Sequence, residues 1–388
     1  MDFEESHFIM IKFDKHFLLK KCLPIALSIL ILGALALFAN AGGVPKINSR
    51  GDVSYDQATV TKIISEKLSP DPVTGKPIGF QTLELKITSG EYKGEIVTVE
   101  NPVARQSGVL SKEGTRLLVN VSDGGGVTVY GVYTYNRTIG VVIFVLIFCA
   151  VLIAVGGKKG VKALFGLLIT IFCILIVFIP LLFKGVPPIL ASTLLVGICS
   201  VLIMSIIDGL NPKTISAIVA TIVCSLAAGL FSMIGGVLLN ITDFHLSDAD
   251  SLITLMSRTD FNANGIFFAA VLISSMGAII DTAISITSAL HEIVQKTPTI
   301  SRKELMKSGM NIGRDAMGTM SNTLILAFVG GYLTYLVTLY TYDVSLTEVF
   351  SFASVGGEVI SGLSGCIGIF LAVPLSALIA SRMMVKAK

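Results

Sequence analysis

Asp281 stands inside the run 265–286, GIFFAAVLISSMGAIIDTAISI, and its type and position there could do chemistry. The run is long enough to cross a bilayer, for which about 20 apolar residues suffice. A carboxylate at that depth is costly unless it faces protein, water or an ion, so it is a candidate for holding a cation or a proton. Ser274, Ala278, Asp281, Ser285, Ser288 and Glu292 recur every three or four residues, which puts them on one helix face. The spacing predicts a polar seam along a membrane helix, with Glu292 at its cytoplasmic mouth. The structural alternative is a carboxylate capped by a neighbouring helix or by a Lys or Arg.

A second stretch, 299–322, reads TISRKELMKSGMNIGRDAMGTMSN. Ser301 and Glu304 have capping-box spacing and predict a helix start. Met306, Met310, Gly313, Met317 and Met320 share one face, and Lys303, Lys307 and Arg314 lie off it. That pattern predicts an amphipathic helix at the membrane surface, or one that packs under the bundle and feeds the next span. Arg314 or Asp315 could reach Asp281 or Glu292 as a gate or brace, with Thr319 and Asn322 continuing the polar path. Asp208 reads as a turn residue in DGLNPKT. Glu358, in GGEVISG, reads as a solvated interfacial carboxylate that could also neutralise an incoming cation.

Other chemistries lack their residues. His7, His16, His245 and His291 form no metal-binding pair, so no metal site is expected. The six cysteines all fall in apolar runs without ligand spacing, and read as buried hydrophobes. No glycine-rich phosphate loop follows a strand, and no basic patch alternates with aromatics, so neither a cofactor nor nucleic acid is expected as a partner. The string GLSG at 362–365 has no histidine after His291 to serve it, and Asp281 is the one acid firmly inside a span. An enzyme is therefore not the expected reading.

These residues need a scaffold, and composition says which. Apolar residues make up 53% of the chain and charged residues 14%, well below the roughly 25% charged share of soluble domains. Eight spans are expected, at about 23–41, 139–155, 163–183, 187–207, 215–239, 265–286, 323–340 and 360–380. Lysines and arginines gather before span one and after spans two, four, six and eight. The positive-inside rule then places both termini in the cytoplasm of a multi-pass cell-membrane protein. Ala39-Asn40-Ala41 also has the form of a signal-peptidase site, but the long segment before span one, with acidic Asp2, Glu4, Glu5 and Asp14, favours an uncleaved signal anchor over 1–42. Residues 43–137 form an exported domain. Short alternating runs at 57–68, 80–87, 94–100, 115–121 and 127–135, separated by turn residues, predict a small β-barrel or sandwich. Residues 138–388 then make a seven-helix membrane domain.

Two blocks, GAIIDTAISITSALHEI at 277–293 and SGMNIGRDAMGTMSNTLILAFVGG at 308–331, together with DGLNPKT, resemble the YibE/F family of multipass prokaryotic membrane proteins. Asp281, Ser285, Glu292, Arg314, Asp315, Gly318, Thr319, Asn322 and Thr323 fall on matching positions. The likeness covers the chain from about residue 139. It implies a bacterial or archaeal cell-membrane protein and carries over no substrate, cofactor or catalytic residue.

The expected fold is thus a polytopic α-helical membrane protein with a small all-β extracytoplasmic domain between helices one and two. The expected function is a transporter or channel for a small ion or solute, with the lipid bilayer as its surroundings. The alternative is a membrane-anchored scaffold or sensor whose β-domain binds an envelope protein.

Overall fold

The computed structural model describes residues 29–41, 43, 53–106, 108–124, 127–242, 249–259, 261–342 and 344–385. They fall into two compact units, Lys46–Val155 and Met1–Pro45 with Gly156–Lys388.

The first unit is built on a five-stranded antiparallel sheet of β1 (Val53–Pro70), β2 (Pro77–Ile87), β3 (Ile96–Val103), β4 (Arg116–Gly124) and β5 (Val127–Tyr135). The spatial order is β3-β2-β1-β4-β5. Alternation in β2 buries Gln81, Leu83, Leu85 and Ile87 on one face and leaves Lys86 outside, as a half-buried strand requires. Leu83 and Leu85 meet Val60, Val99, Leu117 and Val119 in the core. β1 pairs with both β2 and β4, and its register shifts twice, between Val60 and Lys62 and between Ile63 and Ser65. Such irregularities bend a strand and increase its twist. The two edge strands, β3 and β5, approach each other as a result. The expected barrel or sandwich is therefore corrected to one curled sheet, a half-barrel.

Inside it, Gln81 and Asn101 are buried and hydrogen-bonded. Ser111 N–H donates to Gln81 Oε1 at 2.9 Å, Gln81 Nε2 donates to Ser111 O at 3.1 Å, and Asn101 Nδ2 donates to Val109 O at 2.7 Å. These bonds tie the β3–β4 connection to the sheet, since buried polar groups demand partners.

The second unit is helical. After α1 (Ile29–Asn40) comes α2 (Thr138–Phe172), whose first part belongs to the other unit. A six-residue π-helical stretch, Cys173–Phe178, joins α2 to α3 (Ile179–Phe183). The rest are α4 (Pro188–Asp208), α5 (Pro212–Leu238), α6 (Ala249–Arg258), α7 (Ile266–Lys296), α8 (Arg302–Gly331), α9 (Leu333–Thr341), α10 (Leu346–Ser351) and α11 (Ala353–Met384). α5, α7 and α11 pack against one another, α8 lies on α7 and α11, and α4 lies on α5 and α7. Small residues permit this closeness. A Cβ built on Gly368 of α11 would lie 2.6 Å from Ile279 Cδ1 and 3.1 Å from Ala228 Cβ. Asn211 caps α5 by accepting from Thr214 N–H, and Asp208 pairs with Lys213 at 2.8 Å, closing the α4–α5 turn.

Among the described residues five helices are long and apolar enough to cross a membrane, or six if α8 and α9, bent by 60°, make one span. Eight were expected. Expected spans two and three fall on two helical stretches, one on each side of Gly157, whose φ of 53° and ψ of −133° break helical geometry, although together they make one apolar segment, Thr138–Phe183. Expected span seven does not begin afresh at residue 323. α8 runs unbroken from its capping box at Ser301 and Glu304 to Gly331, so the predicted surface helix and span share one rod. Of expected span one, residues 29–40 form α1, and residues 23–28, with the chain before them, lie outside the described residues. So do Lys12, Lys15, Lys20, Lys21, Lys386 and Lys388, the acidic side chains of Asp243, Asp248, Asp250 and Asp260, and the side chain of Arg258.

Candidate functional site

α7 is the central helix of its unit and is buried on nearly every side. Leu272, Ile279, Ile286 and Leu290 are fully enclosed. Its buried hydroxyls are already spent on its own backbone: Ser275 donates to Val271 O at 2.7 Å, Thr282 to Ala278 O at 2.8 Å and Thr287 to Ala283 O at 2.8 Å. Back-bonding of this kind lets a hydroxyl sit inside a helix bundle at little cost.

One stripe remains open. Ala270, Ser274, Gly277, Asp281, Ser285 and Glu292 are exposed, and Ser288 is half-buried. Their spacing follows one face of the helix, and at 1.5 Å per residue the stripe is about 33 Å long, the thickness of a bilayer's hydrocarbon core. It holds no large apolar side chain. The first turns of α2, exposed on all sides, show the contrast, with Val141, Val142, Ile143, Phe144, Val145 and Leu146. Asp281, Ser285 and Ser288 have no hydrogen-bond partner among the described residues. Asp281 is exposed in the single chain and is not capped by a Lys or Arg among the described residues. α4, α5, α8 and α11 occupy the other faces of α7.

α8 sets the remaining predicted residues beside this stripe in depth. Gly309 faces Leu290 and Gly313 faces Ile286, each within 3.1 Å of a built Cβ. Counted along this antiparallel register, Arg314 stands level with Ser285 and Gly318 with Asp281. Arg314, Asp315, Thr319 and Asn322 are all exposed. The proposed brace is absent. Among the described residues Arg314 and Asp315 form no ion pair, and Glu292 pairs instead with Lys296, one turn along its own helix, at 3.8 Å. Thr319 donates back to Asp315 O at 3.3 Å. Met306, Met310, Met317 and Met320 pack inward against the bundle, as their shared face predicted.

The sequence reading took Glu358 for a solvated interfacial carboxylate. In α11 it is half-buried and lines two adjoining cavities. The smaller, about 190 Å3, also takes in Ala270 and Ser274 of the α7 stripe, Ser354, Ser361 and Tyr332. The larger, about 340 Å3, is walled by Ile325, Phe328, Leu336, Phe350 and Leu363. The signal was present: Ser354, Glu358 and Ser361 repeat at four and three residues, the same spacing that marked Asp281.

The sheet unit carries a separate open groove of about 640 Å3, with Asp71, Phe80, Arg105 and Gln106 on its rim. The Asp71 carboxylate is wholly enclosed. It bonds Arg105 Nε at 2.5 Å and accepts from Val73 and Thr74 N–H at 2.7 and 2.8 Å. The Arg105 hydrogen bond, aided by these amides, holds its pKa down to about 2. Tyr130 is pushed up to about 12, by burial first and then by its hydrogen bond to Glu95 at 3.0 Å.

The model of the YibE/F-like protein family matches residues 144–386. That span contains α7, α8 and α11 and stops short of the sheet. No curated protein matches the chain, and no solved structure does.

Proposed function

We propose, from the premise that the chain belongs to the YibE/F-like family, that it is a multipass membrane transporter or channel whose path follows the open stripe of α7. The observation that carries this is the composition of the stripe: a bilayer-length face with small and polar residues only, on a helix otherwise buried in apolar packing. The exposed run 141–148 of α2 is large and apolar, as suits lipid, so water or a solute is the better neighbour for a small and polar stripe. Asp281 binds a cation or a proton at the centre, and the free hydroxyls of Ser285 and Ser288 supply the next ligands. Glu292, beside Lys296, forms one mouth. Arg314, Asp315, Thr319 and Asn322 line the adjoining face of α8 and set its charge.

In this reading the protein sits in the cell membrane with both termini in the cytoplasm. The sheet lies outside as part of an exported domain at 43–137, after a signal anchor at 1–42 and before a membrane domain at 138–388. The loops rich in Lys and Arg support that orientation.

The experiment is ion flux into proteoliposomes loaded with a pH- or cation-sensitive dye. The wild type passes a monovalent cation or protons, and Asp281→Asn reduces the rate at least about tenfold, as loss of the only carboxylate at the centre of the path requires. Flux that survives Asp281→Asn unchanged removes the assigned role.

The groove beside Asp71 and Arg105 favours a second reading, a scaffold or sensor that docks an envelope protein through the sheet. Absence of any flux, together with an interaction lost on Phe80→Ala, would select it.

A further inference from the structure

The two cavities that meet at Glu358 point to a binding site that the ion path does not require. Glu358 is a half-buried carboxylate with no hydrogen-bond or ion-pair partner among the described residues. A cation beside such a group offsets its partial desolvation. An inorganic ion fits poorly. Calcium asks for six to eight oxygen ligands, and among the described residues no three His, Cys, Asp or Glu side chains gather here or elsewhere. The larger cavity is walled instead by Ile325, Phe328, Tyr332, Phe350 and Leu363. Its volume of about 340 Å3 is within the size range of small-molecule pockets. A half-open apolar cavity lined by aromatic rings, with a single carboxylate at its edge, suits a positive group on an apolar body. The rings add attraction through their faces, and the hydroxyls of Ser354 and Ser361 in the adjoining chamber can solvate the charged end.

We propose that this double cavity binds an organic cation, an amine or quaternary ammonium with an aromatic or aliphatic body, with its charge at Glu358 and its body among Phe328, Tyr332 and Phe350. Ser274 borders the smaller chamber, so the bound charge sits beside the end of the α7 stripe. The site concerns binding, and it stands whether or not the stripe conducts.

The test is equilibrium dialysis of labelled benzyltrimethylammonium against the full chain in phosphatidylglycerol nanodiscs. Saturable binding is expected, with an affinity loss of about tenfold or more in Glu358→Gln, as for other desolvated charge contacts. Glu358→Asp keeps the charge and retains most of the affinity. Thermal unfolding midpoints equal to wild type show that both variants are folded, and Phe328→Ala gives an independent loss should Glu358→Gln fail to fold. Neopentylbenzene, the neutral isostere, does not displace the probe at equal concentration. No saturable binding by the wild type, equal binding by a folded Glu358→Gln, or equal displacement by neopentylbenzene overturns the proposal. Loss of the probe when phosphatidylethanolamine replaces phosphatidylglycerol also overturns it, by giving the cavity to a lipid headgroup. Binding without flux would overturn the transport reading and leave this one intact.

Discussion

Gly313 of α8 lies directly against Val373 of α11: a Cβ built on the glycine would stand 2.3 Å from Val373 Cγ1 and 3.1 Å from Ile286 Cδ1 of α7. Three helices meet at this point, and the absent side chain lets them. Five residues further along α8, Gly318 has nothing within 4 Å of its built Cβ. One glycine belongs to the packed face and the other to the open one.

Alanine at the two positions should therefore act oppositely. Gly313→Ala overpacks the junction, at a cost of about 1–3 kcal/mol, and should lower the thermal unfolding midpoint in detergent. Gly318→Ala meets no neighbour and gains up to about 1 kcal/mol of helix propensity, so it should leave the midpoint unchanged or raise it. Equal losses at both sites would mean that the open face is covered.

Asp71 makes the sheet unit sensitive to acid. Its carboxyl titrates at about 2 in the folded chain and at about 3.9 when unfolded. The lower folded value means that its contribution is complete above pH 4 and is lost as pH falls towards 2. Hydrogen exchange at the Val73 and Thr74 amides, which the carboxylate holds, should accelerate over that window. Asp71→Asn should show fast exchange at neutral pH and no step between pH 4 and 2. A wild-type profile as flat as that of the variant would contradict the assignment.

Tyr130 should give the opposite sign at high pH. Its hydroxyl titrates at about 12, against about 10 for a free tyrosine. The stability it lends is complete below pH 10 and is lost as pH rises towards 12. Absorbance at 295 nm should show one tyrosine ionising late, and Glu95→Gln, which removes the hydrogen-bonded anion, should bring that ionisation earlier. An unchanged titration in Glu95→Gln would leave burial as the whole cause.

Much of this architecture is legible from the chain. Alternation in the run containing Leu83, Leu85 and Ile87 gives β2 and its buried face, and Ser301 with Glu304 marks the start of α8. The membrane character follows from composition, and the stripe of Ser274, Asp281, Ser285 and Glu292 follows from helical spacing. What escaped was decided at a distance. The polar stretch before residue 323 and the apolar stretch after it belong to one helix, α8, which bends by 60° into α9 at Tyr332, and local hydropathy does not show this. The exposure of Asp281 depends on which faces α4, α5, α8 and α11 choose, which is a property of packing. Glu358 looked like an interfacial acid because Phe328 and Phe350, which line its cavity, come from other helices. Gln81 and Asn101 were unremarked for the same reason, since their partners Ser111 and Val109 lie on a connection with no pattern of its own.

The central claim is that the α7 stripe faces water within the membrane. Cysteine placed at Ser274, Asp281 and Ser285, in a chain whose six native cysteines are replaced, measures it directly. Phe144→Cys on the apolar face of α2 is the lipid-facing control. A charged, membrane-impermeant methanethiosulfonate should label the three stripe positions and spare position 144. Labelling of the stripe by a lipid-soluble maleimide alone, with no reaction towards the charged reagent, would contradict the account.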